Sequence, residues 1–221
     1  MLEAHLGSAS SSQTLYQIYK KLFNHYGPQY WWPGDTQIEV IVGAVLTQNT
    51  SWQNVEKAIN NLKSRRLLNL RKLVALPISE LAKLVRPSGF FNIKAYRLHN
   101  LLEFIFNKYQ RSLKGMSKVT TRKLRTDLLS IKGIGEETAD SILLYAFSRP
   151  VFVVDAYTKR IFSRHKFISS NIEYSKLQAF FLNNLPKDIK IYNEFHALIV
   201  RLAKEHCKKE PKCLGCPLAS F

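Results

Sequence analysis

The sequence predicts an all-α protein, and three observations carry that expectation. Apolar residues recur at helical spacing along most of the 221 residues, clear β alternation is absent, and the breaks between periodic runs are short and hold the Pro and Gly. An apolar content of 46%, with 12% aromatics, is enough for one large core or two small ones and excludes a disordered tail.

The elements follow in chain order. A helix is expected over residues 15–26, and Ile38, Ile41, Val42, Val45 and Leu46 then form an i, i+3, i+4 stripe on a second. Residues 53–63 and 78–85 give two more, and Leu98, Leu101, Leu102, Ile105 and Phe106 mark the next stripe. Further helices are expected over residues 123–129, 136–147, 156–164, 174–185 and 192–206. The β-branched "PVFVVDA" has no partner strand in view, so it reads as an extended connection into the following helix. "YGPQYWWPGD", "VRPSGFFN" and "SIKGIG" punctuate the helices, and no internal repeat appears. Two helical domains are expected: a six-helix domain over residues 36–150, and a second from both chain ends, residues 1–35 and 151–221, with a C-terminal cysteine loop.

Lys and Arg number 33 against 16 acidic residues, a formal +17 spread along the chain. Such a surplus attracts polyanions, and nucleic acid is the first expectation; a merely solubilised or ribosome-associated surface is the alternative. No run of about 18 apolar residues marks a membrane span. The N-terminal "MLEAHLGSASSSQ" lacks a basic region followed by an apolar one, so the expected location is cytoplasmic, on the nucleoid in a bacterium, or nuclear in a eukaryote. All three cysteines fall in the last fifteen residues, which disfavours a disulfide framework and favours a metal or cluster.

In "LSIKGIGEETAD" a helix ends near Ser130, turns through Lys132, Gly133, Ile134 and Gly135, and restarts at Glu136. Glycine permits a positive φ there and lets another backbone approach, while the new helix start offers unpaired N–H groups to a phosphate oxygen. Lys132 adds charge from the side. A plain helix–turn–helix connection is the competing reading. Asp155 follows the apolar run "VFVV" and precedes helical "AYTKRIF", so it is either a helix N-cap or a carboxylate at the edge of what the hairpin grips. Lys159, Arg160 and Arg164 follow on that helix.

Taken together, "L-x-x-I-K-G-I-G-x-x-T-A-D" and the later "V-V-D" resemble the helix-hairpin-helix, Gly/Pro-Asp signature of the endonuclease III superfamily of DNA glycosylases, and the likeness runs over residues 30–216. The resemblance implies two all-α domains with a DNA-binding cleft between them, the Gly133 and Gly135 amides on a backbone phosphate, and Asp155 as the catalytic carboxylate. Bifunctional members carry a nucleophilic lysine two residues after the second glycine, where this sequence has Glu137. A carboxylate forms no imine with the sugar, so a monofunctional enzyme without AP lyase activity is expected.

"YWWPGDTQIEVIVGAVLTQNTSWQNVEKA" and "VRPSGFFNIKAYRL" are similar to the endonuclease III-like 3-methyladenine DNA glycosylases. By that resemblance Trp31, Trp32 and Pro33 match the aromatic edge of the base pocket, and Trp52 a second aromatic that stacks on the base. An alkylated purine is cationic, binds between indole faces and is already a good leaving group, so such a pocket suits it. Burial of the tryptophans as packing is the alternative. The family pattern makes Gln48 and Phe90 the wedge residues that fill the gap left by an extruded base, against a helix-end glutamine and a core phenylalanine. Lys94, just after the second wedge, and Lys159, on the helix after Asp155, are expected on backbone phosphate, with a solvated lysine as the competing reading for Lys94.

Superfamily members often bind a [4Fe-4S] cluster through C-x6-C-x2-C-x5-C. Here Cys207, Cys213 and Cys216 are followed by "PLASF", so a fourth ligand would come directly after Phe221. Either the chain is truncated or a ligand has been lost, and a cluster-bearing ancestry is the expectation. Zinc completed by His206 is disfavoured, because adjacent residues on a helix diverge by about 100°. Three free thiols are the remaining reading. The expected partner is double-stranded DNA with a damaged base, met by a monomer. The alternatives are a glycosylase for oxidised pyrimidines or mismatched bases, and a non-catalytic binder of DNA structure.

Overall fold

The computed structural model describes residues 8–221, with side chains from Ser12 onward. The N-terminal segment read above for a targeting signal, and the start of the expected second domain, fall largely outside the described residues. Twelve α-helices, a 3-10 turn and a π turn make up the secondary structure, with no strand among the described residues. The chain divides into two compact units, Trp32–Arg149 and Met1–Trp31 with Pro150–Phe221.

Within Trp32–Arg149, α2 (Gln37–Leu46) is the central element and contacts α3 (Trp52–Ser64), α6 (Phe91–Lys108), α9 (Glu136–Ser141) and the π turn (Ile142–Ala146). Every residue of α2 from Ile38 to Leu46 is buried, so its expected one-sided stripe is in fact an all-round apolar core helix. Thr36 caps it, with Oγ1 accepting from the Glu39 amide at 3.3 Å. The Glu39 carboxylate receives Lys63 at 2.6 Å, which fastens α2 to α3. α4 (Leu70–Ala75), α5 (Ile78–Leu84), α7 (Leu113–Ser117) and α8 (Thr121–Leu129) complete this unit, with a 3-10 turn at Arg86–Ser88. It therefore holds eight α-helices where six were expected, because α4 and α7 span only 6 and 5 residues and show no apolar period.

In the other unit α1 (Ser8–Tyr26) packs on α11 (Tyr174–Asn184) and α12 (Ile189–Glu205), and α12 also packs on α10 (Ala156–Arg164). Aromatic rings fill its core: Phe152 stacks on Phe181 with centroids 4.2 Å apart, and Phe162 and Phe195 meet Phe181 edge-on. Val151 to Val154 are buried and form no strand. The Phe152 carbonyl accepts instead from Gln178 Nε2 at 2.7 Å, so a side chain satisfies this buried backbone and the segment runs extended into α10.

Candidate active site

α8, the Gly133–Gly135 turn and α9 form the helix-hairpin-helix. Gly133 has φ +97°, and a Cβ there would lie 2.4 Å from Arg97 Cγ, so glycine is needed for both the conformation and the neighbour. Gly135 is the extended N-cap of α9, and nothing stands within 4 Å of where its Cβ would be, which leaves the turn open to an approaching backbone. Ile131 and Ile134 are buried and anchor the turn, while Lys132 is exposed beside it. Arg125 grips the fully buried Asp140 with two hydrogen bonds, 2.7 Å from Nε and 3.0 Å from Nη2, and reaches Glu136 at 3.3 Å. This staple holds the two hairpin helices at fixed spacing.

Asp155 caps α10 and does more than cap it. Its Oδ1 accepts from the Thr158 amide at 2.7 Å and the Thr158 hydroxyl at 2.8 Å, and Oδ2 stands 3.6 Å from His196 Nε2 on α12. Burial alone would raise the carboxyl pKa; His196 and the Thr158 donors outweigh it and hold the group below its ordinary value. The N-cap and reactive readings are thus compatible, because one oxygen serves the helix while the other is oriented by an imidazole.

The tryptophans divide. Trp32 and Trp52 meet edge-to-face with centroids 5.2 Å apart, and Tyr145 lies against Trp32 at 5.1 Å. All three rings are half-buried. Gly43 on α2 makes room for Trp32, since a Cβ would come 3.2 Å from its Nε1. Pro33 and Trp52 line a cavity of about 200 Å³ together with Asp35, Glu39, Glu56 and Lys63. Trp31 is half-buried and belongs to the other unit. Periodicity gave no sign of Tyr145, which the π turn aims at Trp32; such turns recur at functional sites.

Gln48 sits in the turn after α2, with its amide bonded to Thr138 Oγ1 at 2.9 Å and to the Gly133 carbonyl at 3.3 Å. Phe90 is 68% exposed in a left-handed conformation, φ 45°, which removes the core reading. Lys159 is half-buried and donates to the Ile172 carbonyl at 2.9 Å. Lys94 requires a correction: it is 2% exposed, with its ammonium on the Leu46 and Ser88 carbonyls, so it is an interior lysine and meets no phosphate. His196, Arg97 and the Arg125–Asp140 pair escaped the sequence reading altogether.

Cys207 is buried and its Sγ accepts from Arg164 Nη1 at 3.3 Å, Cys213 is exposed and Cys216 half-buried. Among the described residues no group of three or more His, Cys, Asp or Glu is arranged to hold a metal ion. Cys207, Cys213 and Cys216 are three of the four thiolates that a [4Fe-4S] cluster takes.

A family model described as HhH-GPD superfamily base excision DNA repair protein matches residues 42–187. The DNA repair glycosylase candidate MJ1434 of Methanocaldococcus jannaschii is 51% identical over 211 residues, 95% of this chain and 96% of that protein. The chain belongs to the HhH-GPD superfamily of base excision DNA repair proteins. The structure of this HhH-GPD protein is similar to that of the H. pylori 3-methyladenine DNA glycosylase MagIII bound to 1,N6-ethenoadenine, at 35% identity and a TM-score of 0.75 over 90% of this chain and 98% of that one. A non-covalent endonuclease III–DNA complex shares the fold at 21% identity, with a TM-score of 0.77 over 99% and 94% of the two chains. The HhH-GPD protein is accordingly a DNA glycosylase of base excision repair, with DNA as its partner. No described helix is long and apolar enough to cross a membrane.

Proposed function

We propose that this HhH-GPD protein is a monofunctional, monomeric glycosylase that extrudes an alkylated, 3-methyladenine-like base from duplex DNA and hydrolyses its N-glycosidic bond. The observation that carries the reading is Glu137, at the position where the resemblance puts the lysine nucleophile of bifunctional members, together with Asp155 at the position of the catalytic carboxylate. With no amine to attack C1′, water is the nucleophile. The bond from C1′ to the base nitrogen breaks and its electron pair leaves with the base, already activated by the positive charge of alkylation. Asp155, kept ionised by His196 and Thr158, stabilises the oxocarbenium-like sugar and takes the proton of the water that adds to C1′.

Trp32, Pro33 and Trp52 provide the aromatic surface for the cationic base, and Tyr145 lies against Trp32. Gln48 and Phe90 fill the vacated stack, and Lys132, Gly133, Gly135 and Lys159 hold backbone phosphate. The likeness to MagIII supports the substrate class.

Duplexes bearing 3-methyladenine, thymine glycol or uracil test the proposal when abasic sites are scored with and without alkali. Product from the alkylated duplex, with breaks only after alkali, is the expected result. Breaks without alkali would overturn the monofunctional reading, and product from thymine glycol or uracil alone would move the enzyme toward oxidised or mismatched bases. No product from any duplex would leave a binder of DNA structure.

A further inference from the structure

The interior of the Trp32–Arg149 unit holds a feature that the reaction above does not use. Lys94 is buried, and both acceptors of its ammonium are main-chain carbonyls: Leu46 at 2.7 Å and Ser88 at 2.6 Å. Leu46 lies two residues before Gln48, and Ser88 two residues before Phe90. One ammonium therefore ties together the two turns that carry the wedge residues.

Both turns contain left-handed backbone. Asn49, directly after Gln48, has φ 53°, and Gly89 and Phe90 have φ 69° and 45°. A bulky residue with positive φ persists only where its surroundings fix it. Around Phe90 the fixing groups are Lys94 twice over: its amide donates to the Phe90 carbonyl at 3.0 Å, and its side chain holds the Ser88 carbonyl. One helical turn on, Arg97 Nη1 donates to Gln48 Oε1 at 2.5 Å, and its stem lies over Gly133. Gln48 in turn donates to Thr138 and to the Gly133 carbonyl of the hairpin.

We propose that Lys94 and Arg97 are positioning residues: a brace inside α6 that locks the Gln48 turn, the Phe90 turn and the phosphate-gripping hairpin into one rigid unit, so that gripping the backbone and inserting the wedges happen in register. The proposal rests on the glycosylase reading above. A brace of this kind lowers the barrier to base extrusion and leaves the chemistry at C1′ untouched, because neither side chain reaches the reacting atoms. Lys94→Met keeps the stem and removes the charge; it also leaves the buried Leu46 and Ser88 carbonyls without their donor, so stability is read beside function.

The test compares Lys94→Met, Arg97→Met and the charge-preserving Arg97→Lys with the unchanged protein. Single-turnover base release is measured from a fully paired alkylated duplex and from one with the lesion opposite an abasic site, where extrusion is nearly free. In parallel, 2-aminopurine placed next to a stable abasic analogue reports wedge insertion by fluorescence without any turnover. Melting temperature is recorded for each variant.

Lys94→Met is expected to lose on the order of tenfold to a hundredfold in release from the paired duplex. It should lose less than about threefold from the unpaired one, with a single cooperative melting transition and a reduced 2-aminopurine signal. Arg97→Lys should recover only part of the Arg97→Met loss, because an ammonium lacks the fork that reaches Gln48. Equal losses on both duplexes, or an unchanged 2-aminopurine signal, would overturn the brace. If the unchanged protein releases no base, the glycosylase reading fails by itself, and the fluorescence comparison still decides the brace.

Discussion

Asp155 and Lys94 both carry a charge that the fold buries, and the two units treat them in opposite ways. Around Asp155 the partners are donors: the Thr158 amide and hydroxyl on one oxygen, the His196 imidazole facing the other. They more than offset burial, and the carboxyl is held below its ordinary pKa. Around Lys94 the partners are neutral carbonyls, which satisfy N–H groups without cancelling charge. Burial, with Arg97 adding to it, pushes its pKa down to about 8. The contrast separates two uses of a buried charge. Where donors surround it, the charge itself is the product and is available for chemistry; where carbonyls surround it, the product is the link between backbone segments.

The largest expected effect breaks the first half of that contrast. Asp155→Asn keeps an oxygen for the Thr158 amide, so α10 stays capped, but removes the negative charge. Single-turnover release of an alkylated base should fall by about 10²–10⁴, the range for a positioned acid–base group, with duplex affinity little changed. Full retained activity would reduce Asp155 to a helix cap and leave the contrast without its chemical member.

The second effect concerns stability and sharpens the other half. The pKa of Lys94 lies at about 8 in the folded protein against an ordinary 10.5, so between those values the unfolded chain binds more protons than the native one. Unfolding free energy from this group therefore rises with pH across that window. Relative to Lys94→Met, the unchanged protein should gain on the order of 3 kcal/mol from pH 7 to pH 10.5, read from denaturant midpoints of both proteins. A constant difference would mean an ordinary, solvated lysine.

The same two residues show how far the sequence reached. Asp155 was legible because an apolar run ending in a carboxylate before a helical pattern is a local signal, and the hairpin glycines were legible for the same reason. The all-α architecture followed from the period of stripes such as Leu98 to Ile105. Lys94 was misplaced although its signal was present: it stands four residues before Leu98, on the apolar face of α6, where an exposed lysine does not belong. His196 and Arg97 were out of reach, because their roles depend on partners 41 and 49 residues away in the chain. The π turn that aims Tyr145 leaves no trace in an apolar pattern, since it changes hydrogen-bond register and not composition. Trp31 and Trp32 looked like one motif, and the boundary between the units falls between them.

The smallest effect asks whether the donors around Asp155 act together. Of the influences that lower its pKa, His196 comes first, ahead of the Thr158 bonds. His196→Asn removes the facing imidazole and leaves Thr158 in place, so burial pushes the carboxyl upward and the ionised form is lost at a higher pH than before. The acid limb of the pH–rate profile for base release should accordingly move up in pH, with a fall of about tenfold on that limb and a smaller one near neutrality. A uniform fall with no displacement of the limb would make His196 a packing residue, and the low pKa would then belong to the Thr158 cap alone. That outcome would place Asp155 and Lys94 closer together than the distances in the structure imply, as two buried charges governed mainly by the backbone next to them.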